Sequence, residues 1–107
     1  MKLIIAIIND DDCASVLGEL SRQGLGATRL STSGGFLRSG NSTLLIGVEE
    51  PDIDKVFDIL EKFSSRRKQI VSPMPLMGEI DFLSPTVEIS VGGATVFVID
   101  VEQFRRL

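Results

Sequence analysis

The order of apolar segments along the chain constrains its fold more than any other feature. A continuous apolar run, residues 3–8, predicts a buried strand, and a segment with apolar residues at helical spacing follows it. Two further strands are predicted near residues 27–31 and 42–48, with a glycine-rich loop between them. A second amphipathic helix begins at Pro51, and a short strand near residues 69–71 ends the series. The predicted order is therefore strand, helix, strand, strand, helix, strand.

This order is typical of a ferredoxin-like α+β fold, in which a split βαββαβ sheet carries both helices on one face. We predict in addition a C-terminal β-hairpin with strands near residues 86–91 and 94–101, because Gly92-Gly93 is a type of two-residue turn that hairpins prefer. Residues 1–107 are expected to form a single domain, as their length and 43% hydrophobic content indicate. A domain of this size has a modest core, which association with further copies would help to complete.

Both predicted helices have one apolar face and recognisable ends. Gly24 follows the last apolar position of the first helix, where a left-handed glycine commonly caps a helix. Cations at residues 66–68 follow the second helix, where they would complement the partial negative charge of its C-terminus. The expected apolar faces consist of Cys13, Val16, Leu17 and Leu20 in the first helix, and of Ile53, Val56, Phe57, Leu60 and Phe63 in the second.

Charge, hydropathy and cysteine content argue against several classes of protein. The net charge of −4 is unfavourable for binding a nucleic-acid polymer, which requires a positive surface. The opening apolar run is short and lacks a cleavage pattern, and no stretch approaches the roughly 18 apolar residues of a membrane span. The single cysteine, Cys13, cannot form an internal disulfide, which suits a reducing compartment. We therefore expect a soluble, cytoplasmic protein without a membrane partner.

Catalytic and metal-binding patterns are weak. The chain has no histidine, the commonest catalytic base, and Cys13 lies on a predicted apolar stripe, where a core thiol is expected rather than a nucleophile. The best metal candidate is Asn9-Asp10-Asp11-Asp12, but it departs from the calcium-loop pattern and lies where carboxylates stabilise a helix N-terminus. We predict a capping role for it, and we expect no enzyme activity, no metal site and no cofactor. A small enzyme of unrecognised mechanism is the alternative hypothesis of this class.

The most informative segment is the glycine-rich loop and the strands beside it. The Gly34-Gly35 pair can present backbone N–H groups to an anion, and Phe36 can stack on a purine base. The carboxamide of Asn41 matches the donor and acceptor edge of adenine, and Arg38 can contact a phosphate. From composition alone, the alternative is a hairpin loop whose aromatic side chain packs under the sheet and whose arginine is solvated.

Two blocks of the sequence resemble the PII-like cyclic di-AMP receptor family. The first comprises Ala27-Thr28-Arg29-Leu30 and Thr32-Ser33-Gly34-Gly35-Phe36-Leu37-Arg38-Ser39-Gly40-Asn41-Ser42-Thr43, and the second is Val91-Gly92-Gly93-Ala94-Thr95-Val96-Phe97-Val98. The similarity extends almost from end to end. It implies a PII-like homotrimer that binds one cyclic di-AMP in each cleft between subunits, with the glycine-rich loop and the loop at residues 72–85 shaping the mouth.

The resemblance also implies which residues line the ligand. Phe97 would approach it from a neighbouring subunit, although Gly47 and Phe97 lie in predicted strands, where packing alone is the alternative role. Family members carry asparagine and arginine at the positions of Gly24 and Gly26, so this chain lacks two polar contacts and another adenine nucleotide stays open as the ligand. The implied ligand-binding residues are Ala27, Thr28, Gly35, Phe36, Leu37, Arg38, Asn41, Gly47 and Phe97.

A different class of function is an interaction module that binds no nucleotide. The loop at residues 72–85 is proline-rich and too long for a simple connector, which is typical of a functional loop. In this alternative the trimer would act through that loop on an unidentified downstream protein. In the leading hypothesis the same loop changes conformation when cyclic di-AMP binds.

Overall fold

The computed structural model of the chain describes residues 1–30, 40–71 and 87–107. The strands in this part are β1 (Lys2–Asn9), β2 (Thr28–Leu30), β3 (Asn41–Val48), β4 (Arg67–Val71), β5 (Val87–Val91) and β6 (Ala94–Asp100), and the helices are α1 (Asp10–Arg22) and α2 (Ile53–Ser64). One turn of 3-10 helix, Glu50–Asp52, leads into α2. The predicted ferredoxin-like, PII-like α+β fold is confirmed. Neither of these helices has the length and apolar character needed to cross a membrane.

An antiparallel sheet with the strand order β2-β3-β1-β6 forms the centre of the fold. β2 and β3 pair as predicted, with Thr28 opposite Leu45 and Leu30 opposite Thr43. β3 separates β1 from β2, which is the arrangement of a split βαβ unit. The short β2 therefore lies at one edge of the sheet, and β6 lies at the other.

Both helices pack on one face of this sheet, as predicted. Side chains alternate along β1, so Ile4, Ala6 and Ile8 are buried beneath the helices while the residues between them face the other side. Cys13 has only 1% of its surface exposed, which confirms a core thiol. The buried core consists of Ile4, Ala6, Ile8, Cys13, Val16, Leu20, Leu44, Ile46, Val48, Val56, Ile59 and Leu60.

The buried face of α2 differs from the prediction at two positions. Val56 and Leu60 are buried as expected, but Phe57 is 39% exposed and Ile59, which the pattern omitted, is buried. Successive helical residues are about 100° apart, so Phe57 lies well to one side of the stripe that Val56 and Leu60 define. An exposed phenylalanine consequently remains on the surface of α2.

The strands after α2 pair differently from the prediction. β4 pairs with β5 in a separate two-stranded ribbon, and β6 pairs with β1, where the strand after α2 was expected. The predicted hairpin between β5 and β6 is therefore wrong. Gly92 and Gly93 both have positive φ, as a tight hairpin turn requires, but this geometry also lets the chain cross from the ribbon to the sheet. β6 gains a long partner in β1 and places Val96 against the core.

The ends of α1 confirm the predicted caps. The side chain of Asn9 accepts a hydrogen bond from the Asp11 N–H at 2.9 Å, and the first turn is acidic. At the other end Gly24 has φ +76°. Its N–H and that of Leu25 donate to carbonyl groups in the last turn of the helix, at 3.0 and 2.8 Å. This is a Schellman cap, which favours glycine at the left-handed position.

Two contacts attach the base of the ribbon to the rest of the fold. The Arg67 guanidinium donates to both carboxylate oxygens of Asp12, at 2.7 and 3.3 Å, and the Asp12 side chain is only 7% exposed. Arg67 thus pairs with the first turn of α1, and its Nη1 also donates to the carbonyl of Ser65, the C-cap residue of α2, at 3.2 Å, as predicted for a cation at this helix end. The Gly93 N–H donates to the Ser64 carbonyl at 2.7 Å. A Cβ on Gly92, which has φ +77°, would lie 2.6 Å from Arg67 Nη1, so this position requires glycine.

Candidate ligand-binding face

Four of the predicted site residues lie on the sheet face opposite the helices, which we call the helix-free face. Residues directly opposite in antiparallel strands point to the same side, so Thr28, Leu45, Ile5 and Phe97 form one row across all four strands. Ile4 and Ala6, the neighbours of Ile5 along β1, point to the opposite side of the sheet and are buried beneath the helices. The even spacing from Leu45 places Asn41 and Gly47 on the helix-free face as well. The residues of this face that the family resemblance implicated are Thr28, Asn41, Gly47 and Phe97.

The helix-free face exposes large apolar side chains. Phe97 is 51% exposed, Ile99 46% and Leu30 40%, and no described element packs over them. The strand residues between them, including Ile5 and Leu45, are only half-buried. A contiguous apolar surface of this type is typical of a contact region for a ligand or another protein molecule.

The spacing within this face shows which residues a single chain can bring together. Thr28 and Gly47 are diagonal neighbours on adjacent strands, about 7–8 Å apart. Thr28 and Phe97 lie at opposite edges of the sheet, three strand spacings or about 15 Å apart. Asn41 and Gly47 lie at the two ends of β3, about 20 Å apart. A single chain therefore brings Thr28 next to Gly47 but keeps Phe97 and Asn41 away from that pair.

Neither Gly47 nor Phe97 packs in the core of its own chain. A Cβ on Gly47 would meet only the flexible end of the Met1 side chain, with Cε at 3.3 Å. The Phe97 ring lies beside Ile5 on an edge strand and leaves half of its surface exposed. Both residues are thus available for contacts outside the chain.

Three residues of the first family block, Ala27, Arg29 and Ser42, lie on the helix side of the sheet. Ala27 precedes β2 and packs against the hydrophobic core, so its methyl group supports β2 and does not face the helix-free side. Arg29 lies opposite the buried Leu44, and its Nη2 donates to Ser42 Oγ at 2.9 Å. Ser42 in turn donates to the Asp10 carboxylate. The basic residue of the block therefore connects β2, β3 and α1. The predicted site residues Gly35, Phe36, Leu37 and Arg38 lie outside the described residues.

A cavity of about 570 Å³ opens at the end of the helix-free face, between the sheet and the base of the ribbon. Asn41 lines it from the start of β3, and Thr95 lines it from the start of β6. Arg66 and Ser90 line it from the ribbon side. Ile7 and residues 92–94 complete the wall. The cavity therefore joins Asn41 of the first family block to the Gly92–Thr95 part of the second.

Sequence reasoning did not assign Arg66, Ser90 or Thr95 to a site. Arg66 was interpreted as a helix-terminal cation. Gly92 and Gly93, which precede Thr95 in the sequence, were interpreted as a hairpin turn. Only the pairing of β4 with β5 and of β6 with β1 brings these residues to Asn41. The available signal was the second family block itself, which extends through Thr95.

Within residues 1–30, 40–71 and 87–107, no group of three or more acidic or cysteine side chains is arranged to hold a metal ion. Asp10 and Asp12 are both engaged, with Ser42 and Arg67 respectively. The groups that the described face and the cavity at its end offer to a ligand are apolar side chains, hydroxyls, a carboxamide and a guanidinium.

Comparison with known proteins agrees with this arrangement. The model of the cyclic-di-AMP receptor family matches residues 1–107, the whole chain. The chain belongs to the cyclic-di-AMP receptor family. A similar solved structure is the crystal structure of a functionally unknown protein from Pediococcus pentosaceus, with 40% sequence identity and a TM-score of 0.79. The alignment covers 99% of this chain and 96% of that one, so the likeness extends over the complete fold.

Gly24 and Gly26 occupy the two positions at which the family resemblance led us to expect asparagine and arginine. Gly24 has the left-handed conformation of the α1 cap, which an asparagine also tolerates. Gly26 has no positive φ, and a Cβ there would have no heavy atom within 4 Å. The backbone at residue 26 would therefore accept a long side chain, although this chain has none.

Proposed function

We propose that this chain is a cytoplasmic signal-transduction protein that binds cyclic di-AMP in clefts between the subunits of a homotrimer. The bound nucleotide changes the conformation of the loop at residues 72–85, and a downstream protein responds to that change. The protein acts by binding and release, without chemical conversion of the nucleotide. The family match supports the ligand, and the layout of the helix-free face supports the cleft between subunits.

The observation that carries this proposal is the separation of Thr28 from Phe97. They lie at opposite edges of one face, about 15 Å apart. A second subunit that presented its β6 edge to the Thr28 edge of the first would bring Phe97 to the same ligand. Such contacts would also cover Phe97 and Ile99, which are about half exposed in the single chain.

The oligomeric state and ligand are tested together on the purified full chain. Analytical ultracentrifugation without ligand is expected to give a trimer, and a monodisperse monomer would contradict the proposal. Calorimetry against cyclic di-AMP, cyclic di-GMP and ATP is expected to give tightest binding for cyclic di-AMP, with one site per subunit. The nucleotide should be recovered intact after incubation.

Phe97 provides the sharpest test of the cleft between subunits. Phe97→Ala is expected to weaken cyclic di-AMP binding by about 1–3 kcal/mol, the contribution of one stacked base. Phe57→Ala is the matched control, because Phe57 is an exposed phenylalanine on α2, away from the helix-free face. Equal affinities of the two variants, both folded by circular dichroism, would contradict a role for Phe97.

The response of the long loop is tested by hydrogen exchange. We expect exchange at residues 72–85 to slow when cyclic di-AMP saturates the protein, because a loop that closes over a ligand becomes ordered. Exchange in the α1 and α2 amides serves as the internal reference. Identical exchange with and without nucleotide would remove the loop from the mechanism.

The second candidate function is a trimeric module that binds another adenine nucleotide or none, and that acts on a protein partner through the long loop. Gly24 and Gly26 favour it, because neither offers a side-chain hydrogen bond near β2. The same calorimetry separates the two candidates: absence of heat with cyclic di-AMP, together with a trimer in ultracentrifugation, would select the second.

A further inference from the structure

The cavity at the base of the ribbon contains a cation whose charge no described carboxylate neutralises. Arg66 is the charged residue among the described lining residues, and it forms no ion pair within the described part of the chain. The nearby acidic side chain of Asp12 is already engaged by Arg67. In a chain of net charge −4, this leaves a local positive site facing a polar cavity.

The other groups around this cavity suit an oxyanion. Thr95 and Ser90 supply hydroxyls, and Asn41 supplies a carboxamide that can donate two N–H bonds. Gly92 and Gly93 carry no side chains, so the wall beside Arg66 stays open. At about 570 Å³ the cavity lies within the usual size range of ligand pockets, roughly 300–1,000 Å³.

We infer that this cavity is a phosphate subsite, in which the Arg66 guanidinium and the Thr95 hydroxyl bind a phosphate of a phosphorylated ligand. For the identity of that ligand the inference rests on the proposed function, in which a cyclic dinucleotide supplies two phosphates. Asn41 then belongs to a polar end of the site that includes Arg66 and Thr95. Thr28 and Gly47 form a separate part of the site. At about 3.4 Å per residue along β3, they lie more than ten ångströms from Asn41.

The position of the subsite couples it to the ribbon. Arg66 directly precedes β4 and Ser90 lies in β5, whereas Asn41 and Thr95 belong to the sheet. A phosphate held between these two groups would link the ribbon to the sheet at the same place as the Arg67–Asp12 ion pair. The chain between β4 and β5 contains residues 72–85, so a ligand that fixes the ribbon would also fix the two points at which that segment begins and ends.

The test compares two charge-neutralising variants. Arg66→Gln is expected to lower the affinity for cyclic di-AMP roughly tenfold or more at low ionic strength, and the difference should shrink as salt rises. Lys68→Gln is the matched control: it removes the same charge from the ribbon, where Lys68 forms an exposed pair with Glu88 at 3.3 Å and does not line the cavity. Its affinity should stay within about twofold of the wild type.

Thr95→Val is a second variant that keeps the β-branched shape of the strand residue and removes only the hydroxyl. We expect a severalfold loss of affinity, with thermal unfolding unchanged. If the wild type binds cyclic di-AMP and both Arg66→Gln and Thr95→Val bind equally well, the subsite is overturned while the proposed function stands.

A second probe separates failure of the subsite from failure of the proposed function. If the wild type binds no cyclic di-AMP, the proposed function fails, and inorganic pyrophosphate then tests the subsite by amide NMR. Shifts of the residue 92–95 amides in the wild type that are lost in Arg66→Gln would support the subsite. Absence of such shifts in the wild type would overturn it.

Discussion

Replacing Gly26 with arginine tests whether a missing cation limits ligand binding in this receptor-family member. A Cβ at Gly26 would have no heavy atom within 4 Å, and its φ lies outside the left-handed range, so the side chain can be added without strain. A charge-assisted hydrogen bond contributes roughly 1.5–3 kcal/mol, which corresponds to about a ten- to hundredfold change in Kd. Gly26 is exposed, so solvent screening reduces that value. We therefore expect Gly26→Arg to tighten cyclic di-AMP binding at least severalfold.

The assay is calorimetric titration of wild type, Gly26→Arg and Gly26→Gln at two ionic strengths, with thermal unfolding measured on each. Gly26→Gln matches the long polar side chain without the charge, so it should gain less affinity and show no added salt dependence. Gly24→Ala is the contrasting backbone control. Gly24 has φ +76°, so a Cβ there should cost about 1 kcal/mol and lower Tm by about 4–8 °C.

Two results would refute this reasoning. Unchanged or weaker affinity in a folded Gly26→Arg protein would mean that residue 26 does not face a phosphate or a base acceptor. A Gly24→Ala protein as stable as the wild type would mean that the left-handed cap of α1 is not important for stability. The stability of Gly24→Ala would not change the interpretation of the Gly26→Arg affinity.

Three further predictions concern stability and the glycine-rich loop. Gly92→Ala should destabilise the fold by about 1–3 kcal/mol, because Gly92 has a left-handed backbone conformation that strains other residues. Gly18→Ala, in the open middle of α1, should stabilise the fold by up to about 1 kcal/mol. Equal Tm values for the two variants would contradict this prediction. The Arg22 guanidinium lowers the pKa of Glu19 to about 2, so its stabilisation is present above the unfolded pKa of about 4.5 and lost as pH falls toward 2. The stability difference between wild type and Glu19→Gln should shrink across that window in acid-dependent unfolding, and a constant difference would exclude this origin. Phe36→Ala should weaken cyclic di-AMP binding by about 1–3 kcal/mol with nearly unchanged Tm, and a large loss of stability would instead identify Phe36 as a core residue.

Local sequence features determined the elements and their caps. The helical spacing of Cys13, Val16 and Leu20 in α1 predicted which side chains are buried, because this period follows from backbone geometry. The run at residues 3–8 is apolar at every position, so it predicted the strand β1 but not which of its faces the helices cover. Asn9 and Gly24 were recognisable as cap residues because each satisfies terminal backbone groups within a few residues of itself. The family blocks likewise predicted Thr28, Asn41 and Phe97 as ligand-binding residues without any knowledge of their positions in space, and this stays a prediction.

Strand pairing and the contents of the cavity required the tertiary structure. The Gly92-Gly93 pair has the positive φ angles of a hairpin turn, yet it connects two separate sheets, because β6 gains more by pairing along β1 than by returning on β5. The same choice brings Arg66 and Thr95 to Asn41, from positions that no sequence spacing relates. The Asp12–Arg67 pair joins residues 55 positions apart, and only the folded chain gives the buried carboxylate that partner. Local patterns are set by nearest neighbours along the chain, whereas these contacts depend on which distant strand offers the longer partner and the better burial.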